Sequence, residues 1–239
     1  MTTTAPKDRE TPDIETASDG YAARFQGSAG EYLLQVQRDC IDRVLGDMRG
    51  VRVLDAGGAH GQLIEQLLER DCDITVLSSS ELCGSERVLS KHAACNIVIG
   101  DHLAMPFDAR SFDLVISVRL ISHIDNWQQM LGEWCRVCRG AIVFDYPRVG
   151  GLNALTPLLF PLKRRIEGNT RTYTSFSTNE LAEPLNSQGF DVTRQEAQFA
   201  LPMGLHRAAR GARPLQMIER GLRAIGLAHR ATFRSTRQP

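Results

Sequence analysis

A glycine-rich turn between an apolar strand and a helix is the sequence feature that most constrains this chain. Residues 51–61 read VRVLDAGGAHG, so alternating apolar residues lead into Asp55 and then into a bend. The glycines of the bend are Gly57, Gly58 and Gly61. Residues 62–70 follow with leucines on one face of a predicted helix. Because a strand, a glycine turn and a helix point backbone N–H groups at a ligand, we expect a ligand site here.

The acid at the end of the predicted strand indicates what kind of ligand the turn binds. A carboxylate repels a pyrophosphate, so Asp55 favours a ligand with a positive charge or hydrogen-bond donors. S-adenosylmethionine (SAM) fits, because it carries an ammonium and a sulfonium group. Residues 55–61, DAGGAHG, resemble the D-x-G-x-G-x-G motif of class I SAM-dependent methyltransferases, and they depart from it at Ala59. The motif alone leaves open an ordinary strand-to-helix turn of another α/β protein.

Predicted strands and helices alternate along most of the chain. After the turn, strands are predicted over 73–77, 96–100, 111–118 and 141–146, with helices over 31–45, 81–90 and 126–137. This alternation implies right-handed crossovers and hence an α/β fold with a doubly wound, mainly parallel sheet. Ligands in such sheets bind beyond the carboxyl ends of the strands. The side chains at or near those ends are Asp55, Ser78, Asp101, Arg119 and Tyr146.

Two further segments resemble the methyltransferase family where it binds the nucleoside of SAM. At the end of the second strand the family usually has Asp or Glu for the ribose hydroxyls, whereas this chain has Ser78 and Ser79. Neutral acceptors bind more weakly than a carboxylate does. Residues 100–107, GDHLAMPF, resemble the family's G-D-x-x-x-L-P-F signature. The resemblance implies that Asp101 accepts from the adenine amino group and that His102 flanks the ring, with a turn cap as the alternative role of Asp101.

The resemblance extends to the strand and the loop that follow. Residues 111–115, SFDLV, match the family's S-F-D-x-V strand. Residues 119–124, RLISHI, resemble the segment beneath the methionine part of SAM, which implies a cofactor contact for Arg119. The fold that the resemblance implies is Rossmann-like, with seven strands and an antiparallel hairpin at one edge. We assign that hairpin to residues 189–192 and 196–201.

Methyl transfer asks little of side chains, because the sulfonium is already activated. Holding the acceptor in line about 3–3.5 Å from the methyl carbon supplies most of the acceleration. A base matters only where the acceptor must lose a proton, and His123 is the first candidate because it follows the fourth strand and titrates near neutral pH. A packed, hydrogen-bonded histidine is the alternative. Tyr146 is predicted to orient the acceptor, whereas Asp145 alternates to the other face with a structural role.

Composition narrows the classes of partner, compartment and bound metal that remain open. The chain is 42% hydrophobic and 23% charged with a formal net charge of zero, so bulk electrostatics give no argument for a nucleic-acid partner. The sequence shows neither a leader with a cleavage site nor about 18 consecutive apolar residues. The cysteines are scattered, which fits a reducing compartment, and we expect a cytoplasmic protein. Cys135 and Cys138 form a lone C-x-x-C without a second pair, so we expect free thiols and no bound metal.

Both ends of the chain and one long segment between them do not follow the alternation of predicted strands and helices. Residues 1–19 are polar and predicted to be disordered, and residues 20–239 are predicted to form a single domain. Residues 147–177 are predicted to be a lid over the acceptor opening, with an amphipathic surface helix and a loop as the alternative. Residues 202–239 form a basic C-terminal extension with eight arginines and one acid. Its amphipathic helix either rests weakly on an anionic membrane surface or docks on the core.

These matches together predict a SAM-dependent methyltransferase that acts on a small, partly apolar molecule. The resemblance is closest to the branch that includes quinone-type methyltransferases. A catalytically weak or inactive SAM-binding protein is one alternative, because Ala59 and Ser78 depart from the family pattern. An NAD(P)-dependent oxidoreductase is the other. It is disfavoured because the turn lacks G-x-G-x-x-G spacing and no tyrosine is followed four residues later by lysine.

Overall fold

A computed structural model describes residues 10–16, 18–81, 95–149, 174–201, 203–209 and 213–238 of the chain. Within these residues one seven-stranded sheet has the order β3-β2-β1-β4-β5-β7-β6. Its strands are β1 (Arg52–Ala56), β2 (Asp73–Ser78), β3 (Cys95–Ile99), β4 (Phe112–Ser117), β5 (Cys138–Pro147), β6 (Phe190–Phe199) and β7 (Arg230–Arg237). Neighbours from β3 to β5 run parallel, and β7 is antiparallel to both β5 and β6. The predicted doubly wound α/β sheet with an antiparallel edge is confirmed.

Helices connect the strands and cover the sheet. The longest described helix, α3, starts four residues before the predicted range and ends at the predicted residue. The helices of the described residues are α1 (Asp13–Thr16), α2 (Asp19–Ala22), α3 (Gly27–Leu45), α4 (Ile64–Leu68), α5 (Trp127–Val137), α6 (Thr178–Ser187), α7 (Met203–Ala208) and α8 (Arg213–Ala224). Short 3-10 turns cover Ala23–Phe25 and Ile121–His123. The helix predicted over 81–90 and most of the lid predicted over 147–177 lie outside the described residues.

Two apolar cores lie on opposite faces of the sheet, because side chains alternate along each strand. On β1, Leu54 and Ala56 belong to the core that packs under α5 and α6, around Trp134 and Phe144. Val53 belongs to the other core, which packs against α3 and α4. Asp55 alternates with Leu54 and therefore lies on the α3 side of the sheet. The central strands are buried on both faces, as their near-continuous apolar sequences predict.

The start of α6 follows directly from its sequence. The Ser177 hydroxyl accepts a hydrogen bond from the Glu180 backbone N–H, and the Glu180 carboxylate accepts one from the Ser177 N–H. This reciprocal pair satisfies two backbone donors that a helix start otherwise leaves unpaired. Pro184 lies inside the helix, which still runs on to Ser187.

The hairpin predicted within residues 189–201 is wrong. Residues 190–199 form one continuous strand, β6, with register shifts near Val192 and Ala197. Its partner is β7, at the far end of the chain, which also pairs with β5. The basic segment 202–239 is therefore more than an extension, since it contributes the strand that joins the antiparallel edge to the parallel sheet.

Part of the N-terminal segment that composition predicts to be disordered is folded against the sheet. Residues 10–16 carry the short helix α1, and the Asp13 and Thr16 side chains are buried. Residues 1–9 lie outside the described part of the chain. This segment reaches the carboxyl edge of the sheet, where the strand order reverses between β1 and β4. A reversal of this kind opens the crevice in which α/β sheets bind their ligands.

Candidate cofactor-binding site

The turn after β1 has the backbone geometry that its glycines predict. Gly57 has φ +77° and donates its N–H to the Leu77 carbonyl at 2.9 Å, which ties the turn to β2. A Cβ at position 57 would also lie 3.0 Å from Leu120 Cδ1. Gly61 has φ +69° and donates its N–H to the Gly58 carbonyl at 2.8 Å. The turn is therefore tight, and it starts α4 close to the end of β1.

Gly58 and Asp55 occupy one crowded point of this turn. A Cβ at position 58 would lie 2.0 Å from Asp55 Cγ, so the backbone passes directly over the carboxylate. Asp55 has no exposed surface, and neither of its oxygens has a hydrogen-bond partner within the described residues. Burial raises the pKa of Asp55 to about 7. A buried acid without donors is costly, so the site favours a ligand that brings a positive charge or N–H groups.

Arg119 lies at the end of β4 in a left-handed conformation, with φ +62°. Its backbone N–H donates to Asp145 Oδ1 at 2.6 Å, and Arg230 holds the same carboxylate through a 2.7 Å ion pair with Oδ2. Asp145 therefore has the structural role that its alternation predicts, because it fixes the backbone of Arg119.

The guanidinium of Arg119 connects the leading helix to the glycine turn. It donates to Gln37 Oε1 on α3 at 2.5 Å and to Gln62 Oε1 at 3.1 Å. Its carbon lies 4.1 Å from the centre of the Phe25 ring, within reach of a cation–π contact. Burial, and secondly the charge of Arg119, lower the pKa of His60 to about 4, so this histidine is neutral near pH 7.

Ser79 and His102 are two residues that the resemblance predicts at the nucleoside end of the site. In the structure both contact Asp13, an acid that the sequence analysis does not predict there. The Ser79 N–H donates to Asp13 Oδ2 at 2.7 Å, and the Ser79 hydroxyl donates to Asp13 Oδ1. His102 Nε2 lies 3.4 Å from Asp13 Oδ2. Burial alone would raise the pKa of Asp13, but His102 and Ser79 stabilise the carboxylate and lower its pKa to about 2.

The two remaining residues predicted at the nucleoside end make local hydrogen bonds. The Ser78 hydroxyl donates to the Ser80 carbonyl at 3.0 Å, and Ser78 is buried. Asp101 Oδ1 accepts from the Leu103 N–H at 2.9 Å, which matches the turn-cap alternative. Both residues lie at the carboxyl edge of the sheet, where the sequence predicts them.

The two residues predicted to act on the acceptor have different surroundings in the structure. His123 ends the 3-10 turn that follows β4 and is half-buried. The Tyr146 hydroxyl instead lies 3.0 Å from Thr178 Oγ1 and accepts from Gln195 Nε2 at 2.5 Å. These partners belong to α6 and β6 and not to the glycine turn. Burial raises the pKa of Tyr146, and the ring packs against Phe233, so packing accounts for this side chain.

Sequence reasoning missed three residues that shape this site. Gln37 and Gln62 hold the Arg119 guanidinium, and Asp13 binds Ser79 and lies against His102. The glutamines lie on predicted helices and carry no motif. The signal for Asp13 is indirect, namely the absence of an acid where β2 ends in serines.

Within the described residues, the other cavity, the possible metal ligands and the cysteines give no alternative to the ligand site at the carboxyl edge of the sheet. A shallow cavity between Arg52, Asp73 and Phe112 lies at the amino-terminal ends of the strands, opposite the glycine turn. No described group of three or more His, Cys, Asp or Glu side chains could hold a metal ion. Burial raises the pKa of Cys135 to about 12 and that of Cys138 to about 11, so both thiols stay protonated. Among the described helices, none is both long and apolar enough to cross a membrane.

Comparison with known proteins gives a consistent result. Residues 54–143 match the family model described as a methyltransferase domain. The chain is 29% identical over 144 residues to a malonyl-[acyl-carrier protein] O-methyltransferase of Salmonella typhimurium, covering 57% of this chain and 53% of the relative. It is 25% identical over 166 residues to a ubiquinone biosynthesis O-methyltransferase of Sinorhizobium fredii, covering 65% of this chain and 66% of the relative. The chain thus spans between about half and two thirds of these relatives.

Solved structures share the fold over nearly the whole chain. Magnesium protoporphyrin IX methyltransferase from Synechocystis, crystallised with S-adenosylhomocysteine (SAH), has a TM-score of 0.64 at 13% identity and covers 94% of this chain and 98% of its own. A Burkholderia thailandensis 1,6-didemethyltoxoflavin-N1-methyltransferase with bound SAH has a TM-score of 0.61 at 15% identity, covering 95% and 85%. At these identities the likeness concerns the fold alone.

Proposed function

We propose methyl transfer from SAM to a small, partly apolar molecule as the function of this chain, which belongs to the class I SAM-dependent methyltransferase family. The observation that carries the proposal is the buried carboxylate of Asp55, which has no donor within the described residues and lies under the glycine turn at the reversal of strand order. A cationic ligand with an ammonium group suits such an acid. The residues present therefore fit SAM.

The residues that would hold the cofactor divide into two groups. Asp55 and the glycine turn (Gly57, Gly58 and Gly61) would bind the charged amino-acid end of SAM. Arg119 would support the turn through its hydrogen bond to Gln62. The nucleoside end is proposed for Ser78, Ser79, Asp101 and His102. When bound, SAM supplies a methyl group already activated by the sulfonium. The side chains of this chain then have to bind, orient and exclude water, since alignment supplies most of the acceleration.

His123 is the residue that we propose for proton transfer from an acceptor. It follows β4 on a short turn at the ligand edge, and histidine titrates in the range that a general base needs. Tyr146 was the second candidate, and the hydrogen bonds of its hydroxyl to α6 and β6 favour a packing role over contact with the acceptor. Two relatives are O-methyltransferases that act in ubiquinone biosynthesis or on malonyl-[acyl-carrier protein], which supports an oxygen acceptor.

Titration calorimetry with SAH, SAM and NADH tests the proposal. Saturable binding of SAH and SAM without NADH binding is the expected result. Turnover with methyl-labelled SAM in a metabolite extract then tests catalysis. The second candidate function, SAM binding without turnover, is supported by Ala59 and Ser78, which depart from the family pattern, and it predicts saturable binding with no labelled product. Absence of SAH and SAM binding would contradict both.

We also propose that α8 makes weak contact with an anionic membrane surface. In α8, Met217 is 71% exposed and Ile218 is 54% exposed, and Ile225, directly after the helix, is 71% exposed, so these apolar residues do not dock on the core. Arg213 and Arg220 are exposed beside them. An apolar face flanked by arginines suits anionic lipid. Cosedimentation with phosphatidylserine vesicles, but not with phosphatidylcholine vesicles, is the expected result, and Ile218→Ser together with Met217→Ser should reduce it.

The compartment is the last part of the proposal. The described cysteines (Cys40, Cys72, Cys95, Cys135 and Cys138) are all free thiols. Unpaired cysteines are typical of a reducing environment. We therefore propose a cytoplasmic location, with a small-molecule acceptor and without a nucleic-acid partner, since the formal net charge is zero.

A further inference from the structure

The segment 10–16 is anchored at two points on the ligand edge of the sheet. Asp13 is the first anchor, through the Ser79 N–H at 2.7 Å, the Ser79 hydroxyl and His102 Nε2 at 3.4 Å. Ser79 directly follows β2, and His102 lies three residues beyond β3. The Asp13 carboxylate therefore bridges two neighbouring strand ends, and its side chain has no exposed surface.

Glu10 is the second anchor and binds the start of α5. Its Oε2 accepts from the Asp125 N–H at 2.6 Å, and its Oε1 accepts from the Asn126 N–H at 3.0 Å and from Asn126 Nδ2 at 2.7 Å. These donors directly precede α5, where free backbone N–H groups and the helix dipole favour an acid. The first turn of α5 also contacts the loop after His102, because Gln129 Nε2 donates to the Leu103 carbonyl at 2.9 Å.

The two anchors fix the segment along the ligand edge. Asp13 fixes it to the ends of β2 and β3, and Glu10 fixes it to the start of α5. The segment therefore lies over the strand ends at which we propose the nucleoside site.

Burial of the site residues shows that the chain itself covers them. Asp13, Asp55 and His102 have no exposed surface, and Ser79 is 2% exposed. The donors of Ser79 are already used by the Asp13 carboxylate. A nucleoside can therefore contact Ser79 and His102 only after the Asp13 side chain has left them.

We infer that residues 10–16 occlude the nucleoside end of the cofactor site and that cofactor binding requires release of the Asp13 anchor. This inference rests on the proposed function and adds a regulatory step to the same site. The segment competes with the nucleoside for Ser79 and His102. Apparent affinity is then reduced by the fraction of molecules in which the segment is released. Weakening the anchor raises that fraction and tightens binding.

Calorimetric titration of SAH into Asp13→Ala tests the inference, with Asp13→Asn as the conservative variant. We expect Asp13→Ala to bind SAH about tenfold more tightly than the parent chain, because the occluded state loses its charge-assisted bonds. Glu10→Gln should show a smaller gain. Glu31→Gln is the matched control, since Glu31 is an exposed acid on α3, and its affinity should equal that of the parent. Unchanged or weaker binding by Asp13→Ala would overturn occlusion.

Hydrogen exchange on the parent chain gives a second readout that does not depend on a variant. SAH binding should increase exchange in residues 10–16 and decrease it in the glycine turn. A decrease in both regions would mean that Asp13 binds the nucleoside, and it would overturn occlusion while supporting the proposed function. If no form of the protein binds SAH, both the proposed function and this inference fail. Failure of this inference alone, with SAH still bound, is therefore distinguishable from failure of the proposed function.

Discussion

Two buried carboxylates at the same edge of the sheet differ in their environment. Asp55 has no hydrogen-bond partner within the described residues, and burial raises its pKa to about 7. Asp13 is equally buried, yet His102 and Ser79 outweigh burial and lower its pKa to about 2. Burial penalises both charges, so the difference in pKa comes from the hydrogen-bond donors that Asp13 has and Asp55 lacks. One acid is left for a ligand to satisfy, and the other is satisfied by the chain.

Replacement of Asp55 is the strongest test of this comparison. Asp55→Ala should weaken SAH binding about a hundredfold or more, which corresponds to about 2.7 kcal/mol or more. The free energy of unfolding should stay the same or rise, because a buried acid without partners is lost. Calorimetry with SAH and urea unfolding measure the two effects. SAH affinity equal to that of the parent chain would show that Asp55 does not face the cofactor.

Gly58→Ala tests how closely the backbone approaches Asp55. The added Cβ would lie 2.0 Å from Asp55 Cγ, so the carboxylate or the turn must move. We expect a loss of about 2 kcal/mol in the free energy of unfolding and weaker SAH binding. Gly132→Ala is the control, because its Cβ would meet only Gln188 Nε2 at 3.6 Å inside α5. That variant should be neutral or more stable by up to about 1 kcal/mol.

The pH dependence of stability should separate the two acids. The folded-state pKa of Asp55 is raised, so its contribution is fully present below about pH 4 and is lost as pH rises through about 7. The pKa of Asp13 is lowered, so its contribution is present above about pH 4 and is lost as pH falls towards 2. Urea unfolding between pH 4.5 and 7.5 measures the first effect, at most about 1.4 kcal/mol per pH unit.

Asp55→Asn provides the reference for that titration. The variant keeps the shape of the side chain and removes its proton, so the difference between parent and variant isolates Asp55 from the other carboxylates. We expect this difference to change steadily between pH 4.5 and 7.5 in favour of the variant. A difference that is independent of pH would mean that Asp55 has a donor in the folded state.

Phe25→Leu should give the smallest effect, at the Asp55 end of the site. The Phe25 ring lies under the Arg119 guanidinium at 4.1 Å, while two glutamines hold the same group by hydrogen bonds. Loss of the ring should cost about 0.5–1 kcal/mol of stability and weaken SAH binding a few-fold. Tyr21→Leu is the control for the Arg119 contact, because the Tyr21 ring lies against Phe25 and makes its own cation–π contact with Arg24, at 5.2 Å. Equal effects of both changes would argue against a specific role for the cation–π contact.

The sequence predicts the parallel half of the fold well, because there the local pattern and the final environment agree. The apolar run that becomes β4 is typical of a strand buried on both faces, and the acid and glycines after β1 locate the ligand edge. The doubly wound sheet predicted from these segments is confirmed, and residues 54–143 match the model of a methyltransferase domain. The assignment of individual cofactor and catalytic residues, including His123, stays a prediction.

Local patterns fail where a contact joins distant parts of the chain. The sequence of residues 189–201 predicts two short strands paired as a hairpin, whereas residues 190–199 form one strand whose partner, β7, starts about thirty residues further on. Asp13 belongs to a segment with few apolar residues, and two acidic anchors rather than a core hold this segment in place. The left-handed Arg119 depends on Asp145 and Arg230, which no window around residue 119 contains.

The position of β7 also determines when the sheet can be completed during synthesis. Since β7 follows every other described strand and bridges β5 and β6, all residues up to 229 are synthesised before β5 receives its antiparallel neighbour. Until then β5 presents unpaired backbone groups beside Val143 and Phe144, which is the kind of edge that recruits other chains. A nascent chain that stalls before residue 230 is therefore a candidate for chaperone capture or aggregation. Its rescue would depend on the arrival of a single strand.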